Sequence, residues 1–460
     1  MRTMRYPIIF SVVVLLLLMN GPLNGQPRPK AFVPFRDFLE SSSIADSGEY
    51  LARSTSRVKD AYSFEQMRQH ILRMYEGVEV DHSFVLNSDH FDCVQIEQQP
   101  SVRLLGLRGL ASPPPDSVLS GRPPSEDAIS VEPATRSSLI GRNDQFDEFG
   151  NSIGCEEHTI PMRRITLEEL TRFKTLKQFF EKGPHGAGHP PGLDKSVRKE
   201  GHSEPPPDLL SNHKHAYTIQ WVNNLGGNSA LNYWRPSVHV PLSEIFSLSQ
   251  QWYFGGSGAS LQTVEGGWHN FPGRYGGSEN SRLFIYWTAN GYNGTGCYNL
   301  DCPGFIQINN SWCLGCAFST YSTWGGPQYD FDMKWYLYAG NWWLSLGNQW
   351  IGYYPGTIYR GGQLTRYAQG IEYGGETDAA SSFWPPMGSG GWASYAFGHA
   401  AYQRDVFYFD TASNPHWASL RPVTESPRCY SAAGPYWGGS SGWSGSGIYF
   451  YFGGPGGSGC

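Results

Sequence analysis

Apolar positions recur along this chain in two different rhythms. In its first part, "SFEQMRQHILRMYEG" sets Met67, Ile71 and Met74 at helical spacing, with Ser63 as candidate N-cap, Gln66 completing a capping box and Gly77 as a stop, and so predicts an amphipathic helix. "FDCVQIEQQP" reads as a strand. The Pro/Ser-rich "LASPPPDSVLSGRPPSEDAISVEPA" that follows reads as a loose tether, too poor in apolar residues to fold. From Cys155, "CEEHTIPMRRITLEELTRFKTLKQFFEK" passes from an extended piece into a helix predicted to begin near Thr166, with Glu169 completing a capping box, and to end at Gly183-Pro184. "GPHGAGHPPGLDKSVRKEGHSEPPPD" has no periodicity and reads as an exposed linker of the kind proteases cut.

From about Leu209 the helical period gives way to alternation. Short aromatic and β-branched runs such as "HAYTIQWV", "SALNYW", "SRLFIYWTA", "FDMKWYLYA", "NWWLSLG" and "SGIYFYFG" are broken by Gly, Asn, Ser or Pro. Within them Leu283, Ile285 and Trp287 fall on one face, Phe284 and Tyr286 on the other. Many strands without intervening helices predict an antiparallel sandwich or barrel. Aromatics on both faces predict one packed face and one that serves as a cleft.

Composition sharpens this division. All 16 tryptophans lie at or after Trp221, whereas most charged residues lie before it, so the 460 residues are expected to form two units. A net charge of -6 offers no basic surface for nucleic acid. Residues 1–25 combine Arg2 and Arg5 with the apolar run "IIFSVVVLLLLM", which is too short to span a membrane, and read as a cleaved signal peptide. A secreted chain makes its 8 cysteines disulfide candidates, and Asn293 and Asn309 sit in glycosylation sequons.

Several motifs carry little chemistry. "GGSSG" (438–442) has the form of a nucleophile elbow, but no Asp or His follows it. Cys313 and Cys316 form a CxxC without a second ligand pair for zinc or a redox fold around it. His185, His189, His202, His213 and His215 lie in the polar linker or at its edge, where histidine needs no metal-ligand role. No Gly-rich loop joins a strand to a helix, so no cofactor is called for.

Two stretches remain. "TVEGGW" and "IEYGGET" each set carboxylates beside paired glycines in an aromatic β context, where the missing side chain lets another backbone, such as a peptide substrate, come close. Two carboxyls share hydrolytic work when their environments hold one ionised and the other protonated, and such a pair works best in acid.

The chain resembles the plant neprosin family, secreted zymogens of glutamic peptidases. In the first part "DCVQIEQQP" and the stretch Cys155–Thr166 resemble activation-peptide motifs; in the second, "RLFIYWTANGYNGTGCYNLDCPGFIQ", "GGPQYDF", "GNQWIGYYP" and "YGGE" carry the likeness. By position it implies Glu265 and Glu376 as catalytic residues, with Glu372 as runner-up for the second place, and Trp268, Tyr373 and Gln328 as cleft-lining candidates. It also implies an antiparallel β-sandwich catalytic domain (206–460) behind a smaller α+β propeptide (26–205) that blocks the cleft. The expected partners are proline-containing peptides, cut on the C-terminal side of proline, and the protein's own propeptide; the expected place is the cell wall or vacuole. Cys297 with Cys302 and Cys429 with Cys460 are the implied disulfides; the pairing of Cys93, Cys155, Cys313 and Cys316 stays open, with Cys93–Cys155 and Cys313–Cys316 as one choice. Gly266 and Tyr373 replace the family's usual alanine and tryptophan, and "NNSWCLGCAFSTYS" adds two cysteines. A carbohydrate-binding sandwich and a glycosidase are the rival readings of an aromatic groove with paired acids.

Overall fold

The computed structural model describes residues 31–124, 145–182, 213–238, 246–379, 382–438 and 447–460. The expected signal peptide, the tether from residue 125 on, the linker and "GGSSG" beyond Gly438 lie outside these residues; the first part of the tether, expected to be loose, instead holds a short helix at Asp116–Ser120.

The N-terminal region forms helices α1 (Phe35–Ile44), α2 (Ser47–Ala52) and α3 (Ala61–Tyr75), then strands β1 (Val80–Leu86) and β2 (Asp89–Gln95). After α4 (Pro100–Leu104) and α5 (Asp116–Ser120), strand β3 (Thr159–Arg163) closes a three-stranded antiparallel sheet against β2. Met67, Ile71 and Met74 are buried as their spacing predicts, and Gly77 takes φ +68° just past the end of α3. The N-cap, however, is Asp60, whose carboxylate accepts from the Ser63 N–H; the helix starts earlier than a Ser63 cap implies. The Thr166/Glu169 capping box forms, but it opens only α6 (Leu167–Leu170). The Thr171 carbonyl then accepts from Arg57 and Val58, the Lys174 carbonyl from Lys59, and Thr175 caps a separate helix, α7 (Leu176–Phe180). Bonds to a neighbouring segment thus split what periodicity predicts as one helix.

The remainder is β structure: β4 (His213–Asn224), β5 (Gly226–Asn232), β6 (Phe246–Gly255), β7 (Gln262–Asn270), β8 (Arg282–Thr288), β9 (Ile306–Gln307), β10 (Asp330–Tyr338), β11 (Asn341–Leu346), β12 (Gln349–Tyr354) and β13 (Ala368–Asp378), then β14 (Phe383–Trp384), β15 (Ala401–Phe409), β16 (Pro415–Trp417), β17 (Arg421–Thr424), β18 (Ser431–Trp437), β19 (Ile448–Gly453) and β20 (Gly457–Ser458). A six-stranded sheet runs β17-β4-β13-β6-β7-β8; a nine-stranded one runs β18-β19-β15-β5-β10-β11-β12-β9, with β16 on β15. All these pairings are antiparallel. The two sheets pack face to face as a β-sandwich whose core holds Trp268, Trp335 and Trp342, all fully buried.

Glycines set how closely the sheets meet. A Cβ on Gly266 would lie 2.9 Å from Met333 Sδ on the facing sheet, and one on Gly375 would lie 2.5 Å from Met387 Sδ. On the opposite, outer face of the six-stranded sheet lies segment 175–182 of the N-terminal region, Lys182 meeting Glu265 of β7 and the Phe180 carbonyl meeting Tyr286 of β8. Disulfides Cys297–Cys302 and Cys429–Cys460 join the pairs the resemblance implies, and Cys93–Cys155 and Cys313–Cys316 fill the pairing that the sequence leaves open.

Candidate active site

Register decides which side chains share the outer face. In β7 pairing, Glu265 stands opposite Trp252 and Tyr286, and Gly267 opposite Gln250. In β13 pairing, Gly374 stands opposite Gln250, and Glu376 opposite Leu248 and His215. Since side chains alternate, Glu265, Glu376, Gln250, Trp252 and His215 all lie on the outer face, with the Gly374–Gln250–Gly267 row between the two acids. Both glycines keep that row low for a reason internal to the sheet: a Cβ on Gly267 would meet Ser249 O at 2.0 Å, and one on Gly374 would meet Ala216 O at 2.5 Å. The close backbone approach expected from the sequence is therefore made by neighbouring strands.

The two glutamates converge on one cation. Lys182 Nζ, just beyond α7, lies 2.7 Å from Glu265 Oε2 and 2.8 Å from Glu376 Oε2, and all three side chains are fully buried. The same ammonium sits 5.0 Å from the Trp252 ring centroid. Gln250 Nε2 faces both acids, at 3.2 Å from Glu265 Oε2 and 3.4 Å from Glu376 Oε2. The other oxygen of Glu265 accepts from Thr263 at 2.7 Å and from the Tyr292 hydroxyl at 2.6 Å. Glu376 Oε1 lies 2.6 Å from His213 Nδ1 and 3.6 Å from His215 Nε2, and His215 Nδ1 lies 2.7 Å from Glu425 Oε2.

Charges surround Glu376 on every side. Burial alone would push Glu376 up, but Lys182 and the two imidazoles outweigh it and hold that carboxyl well below its ordinary value. Burial likewise disfavours a charged His215, yet Glu425 and Glu376 push it up to about 10. Lys182 is raised, the attraction of both glutamates exceeding the cost of desolvation.

The acids expected from the sequence thus meet, and Glu376 rather than the runner-up Glu372 is the one that joins Glu265 on Lys182. The cleft-lining candidates lie elsewhere. Trp268 and Tyr373 are each three residues from a glutamate, an odd offset that turns them to the opposite face; Trp268 Nε1 donates to Asn232 O at 2.9 Å, and the Tyr373 hydroxyl lies 3.2 Å from that of Tyr253. Gln328 bonds within its own loop, to Thr323 O and Gly326 O. Gln250, Lys182 and Tyr292 have no place in the sequence reading; His213 and His215, which it sets at the edge of the linker without a ligand role, are the first outer-face residues of β4. Asn293 is exposed and Asn309 half-buried. Among the described residues no group of three or more His, Cys, Asp or Glu is placed to hold a metal.

Residues 243–455 match the family model described as Neprosin. Residues 243–455 thus form a Neprosin domain. Both Glu265 and Glu376 fall inside the matched Neprosin range, and Lys182 falls outside it. Two crystal structures of scytalido-glutamic peptidase are also similar. One, with a peptide-based transition-state analogue, is 10% identical over 53% of this chain and 97% of that one, with a TM-score of 0.28. The other, with a transition-state-analogue inhibitor, is 9% identical over 52% of this chain and 97% of that one, with a TM-score of 0.30.

Proposed function

We propose that this chain is the latent, secreted precursor of a glutamic endopeptidase, in which Glu265 and Glu376 turn one water against a peptide bond. The observation that carries this reading is the convergence of glutamates from two separate strands on a single ammonium and a single amide, on a sheet face that the N-terminal region enters through Lys182. In the precursor Lys182 holds the position between the carboxyls. Once the segment that bears it withdraws, a water takes that position and a substrate backbone can lie along the face.

The surroundings then assign roles. Glu376 faces a cationic His215 throughout the acid range and is the carboxylate placed to accept the water's proton. Glu265, one oxygen of which accepts from the Thr263 and Tyr292 hydroxyls, takes the acid's part. The water oxygen bonds to the carbonyl carbon, the C–N bond breaks, and the proton on Glu265 passes to the departing amine. The Gln250 amide is placed to donate to the carbonyl oxygen as it gains charge.

The finer features rest on the family resemblance: a leader at 1–25, an inhibitory segment at 26–205, a catalytic unit at 206–460, cleavage after proline, and a cell-wall or vacuolar destination. The four disulfides suit an oxidising route, and among the described residues no helix is long and apolar enough to cross a membrane. The test is to bring the full chain to about pH 4, offer it a diverse peptide library and read the cut sites by mass spectrometry. Cuts on the C-terminal side of proline are expected. A library left whole would overturn the peptidase reading, and cuts indifferent to proline would overturn the specificity.

A further inference from the structure

The segment that carries Lys182 is held in the cleft by more than its ammonium. Phe179, three residues earlier, is fully buried, and the guanidinium of Arg274 lies 4.0 Å from its ring centroid. The same guanidinium lies 4.3 Å from the Tyr298 ring centroid. Arg274 Nη1 also donates to the Phe179 carbonyl, while Nη2 pairs with Asp301. One residue on, the Phe180 carbonyl accepts from the Tyr286 hydroxyl at 3.3 Å. Tyr286 stands directly opposite Glu265 in the sheet, and its ring stacks on that of Tyr292, which donates to Glu265. A cavity of about 260 Å³ continues the groove between Phe180 and the Tyr286–Tyr292 pair.

These contacts have the form of peptide recognition. Two consecutive carbonyls of the segment are held by side chains of the β-sandwich, and a single arginine reads both the ring and the carbonyl of one residue. Arg274 remains when the segment leaves, held by Asp301 and Tyr298, with its flat cation open where Phe179 lay. Resting on the peptidase reading above, we propose that Arg274, backed by Tyr298, forms a subsite for an aromatic side chain, so that the preferred substrates are peptides bearing Phe, Tyr or Trp a few residues from the bond that is cut. Segment 175–182 then lies in the groove as an intramolecular stand-in for such a peptide, with Phe179 in the aromatic subsite.

The test uses the full chain after acidification and quenched fluorescent peptides with one proline, in which Phe, Ala or Asp is placed in turn at each position flanking the proline bond. At one position Phe raises kcat/KM by about ten-fold over Ala, mostly through KM. Arg274→Lys, which keeps the charge and loses the flat face, brings that ratio to about two-fold or less. Peptides that are cut with no preference for Phe at any position would overturn the subsite and leave the peptidase reading standing. If nothing is cut, the peptidase reading fails, and the subsite is judged by binding of a labelled TLKQFFEK peptide to the acid-treated chain. Binding about ten-fold tighter than that of its Phe179→Ala counterpart supports the subsite; equal affinities, or no binding of either peptide, overturn it.

Discussion

At the residue scale the site is a charge balance around Lys182. A carboxyl held below its ordinary value stabilises the docked state above that value and loses the contribution as pH falls through the lowered one. His213 and His215 stay beside Glu376 when the segment leaves, so only the part of the lowering due to Lys182 is linked to docking, which weakens as the pH falls through the acid range where Glu376 takes up its proton. His215, raised to about 10, remains charged across that window and does not oppose release. Removing one member of a buried ionic cluster costs about 3–5 kcal/mol, so Lys182→Met is expected to loosen the segment even at neutral pH. Hydrogen exchange of residues 175–182 checks both points. Protection in the parent chain should be steady from neutral pH down to about 5 and fall below it, whereas in Lys182→Met it should be low throughout. Unchanged protection of the parent between about pH 6 and pH 3 would contradict the linkage.

At the element scale the outer face depends on bare glycines beside the acids. Gly267→Ala would set a Cβ 2.0 Å from Ser249 O in the next strand, and the expected result is a Tm lower by several degrees, read by thermal unfolding; an unchanged Tm would show that β6 and β7 part without cost. Much of this level was legible. Period-2 runs marked β8, β10 and β11, and the alternation of Phe284 and Tyr286 against Leu283, Ile285 and Trp287 correctly split β8 between its two faces. The glycine-flanked acids were legible as a pair, but the purpose of the glycines was not, because which strands neighbour β7 and β13 is a matter of long-range pairing that periodicity does not encode. Parity explains the cleft-lining candidates: nearness in sequence drew Trp268 and Tyr373 to the acids, and an offset of three turned them inward. His213 and His215 were missed because a Pro/Gly-rich linker runs directly into β4, and the helix expected to run from Thr166 to Gly183 is interrupted because Arg57, Val58 and Lys59 take up its carbonyls.

At the scale of the whole molecule, the N-terminal region reaches both sheets. Lys182 enters the outer face of the six-stranded sheet, while Lys334 of the nine-stranded sheet donates to Val118 O at 2.9 Å and also to Leu119 O in α5. Removing segment 26–205 would therefore bare both of these attachments, which is why release is expected to follow a drop in pH rather than a local fluctuation. The account rests most directly on the two glutamates acting as a pair. In the full chain, acid-activated and offered a proline peptide, Glu265→Gln and Glu376→Gln are each expected to lower kcat/KM by about a thousand-fold. Full activity in either folded variant would contradict the account.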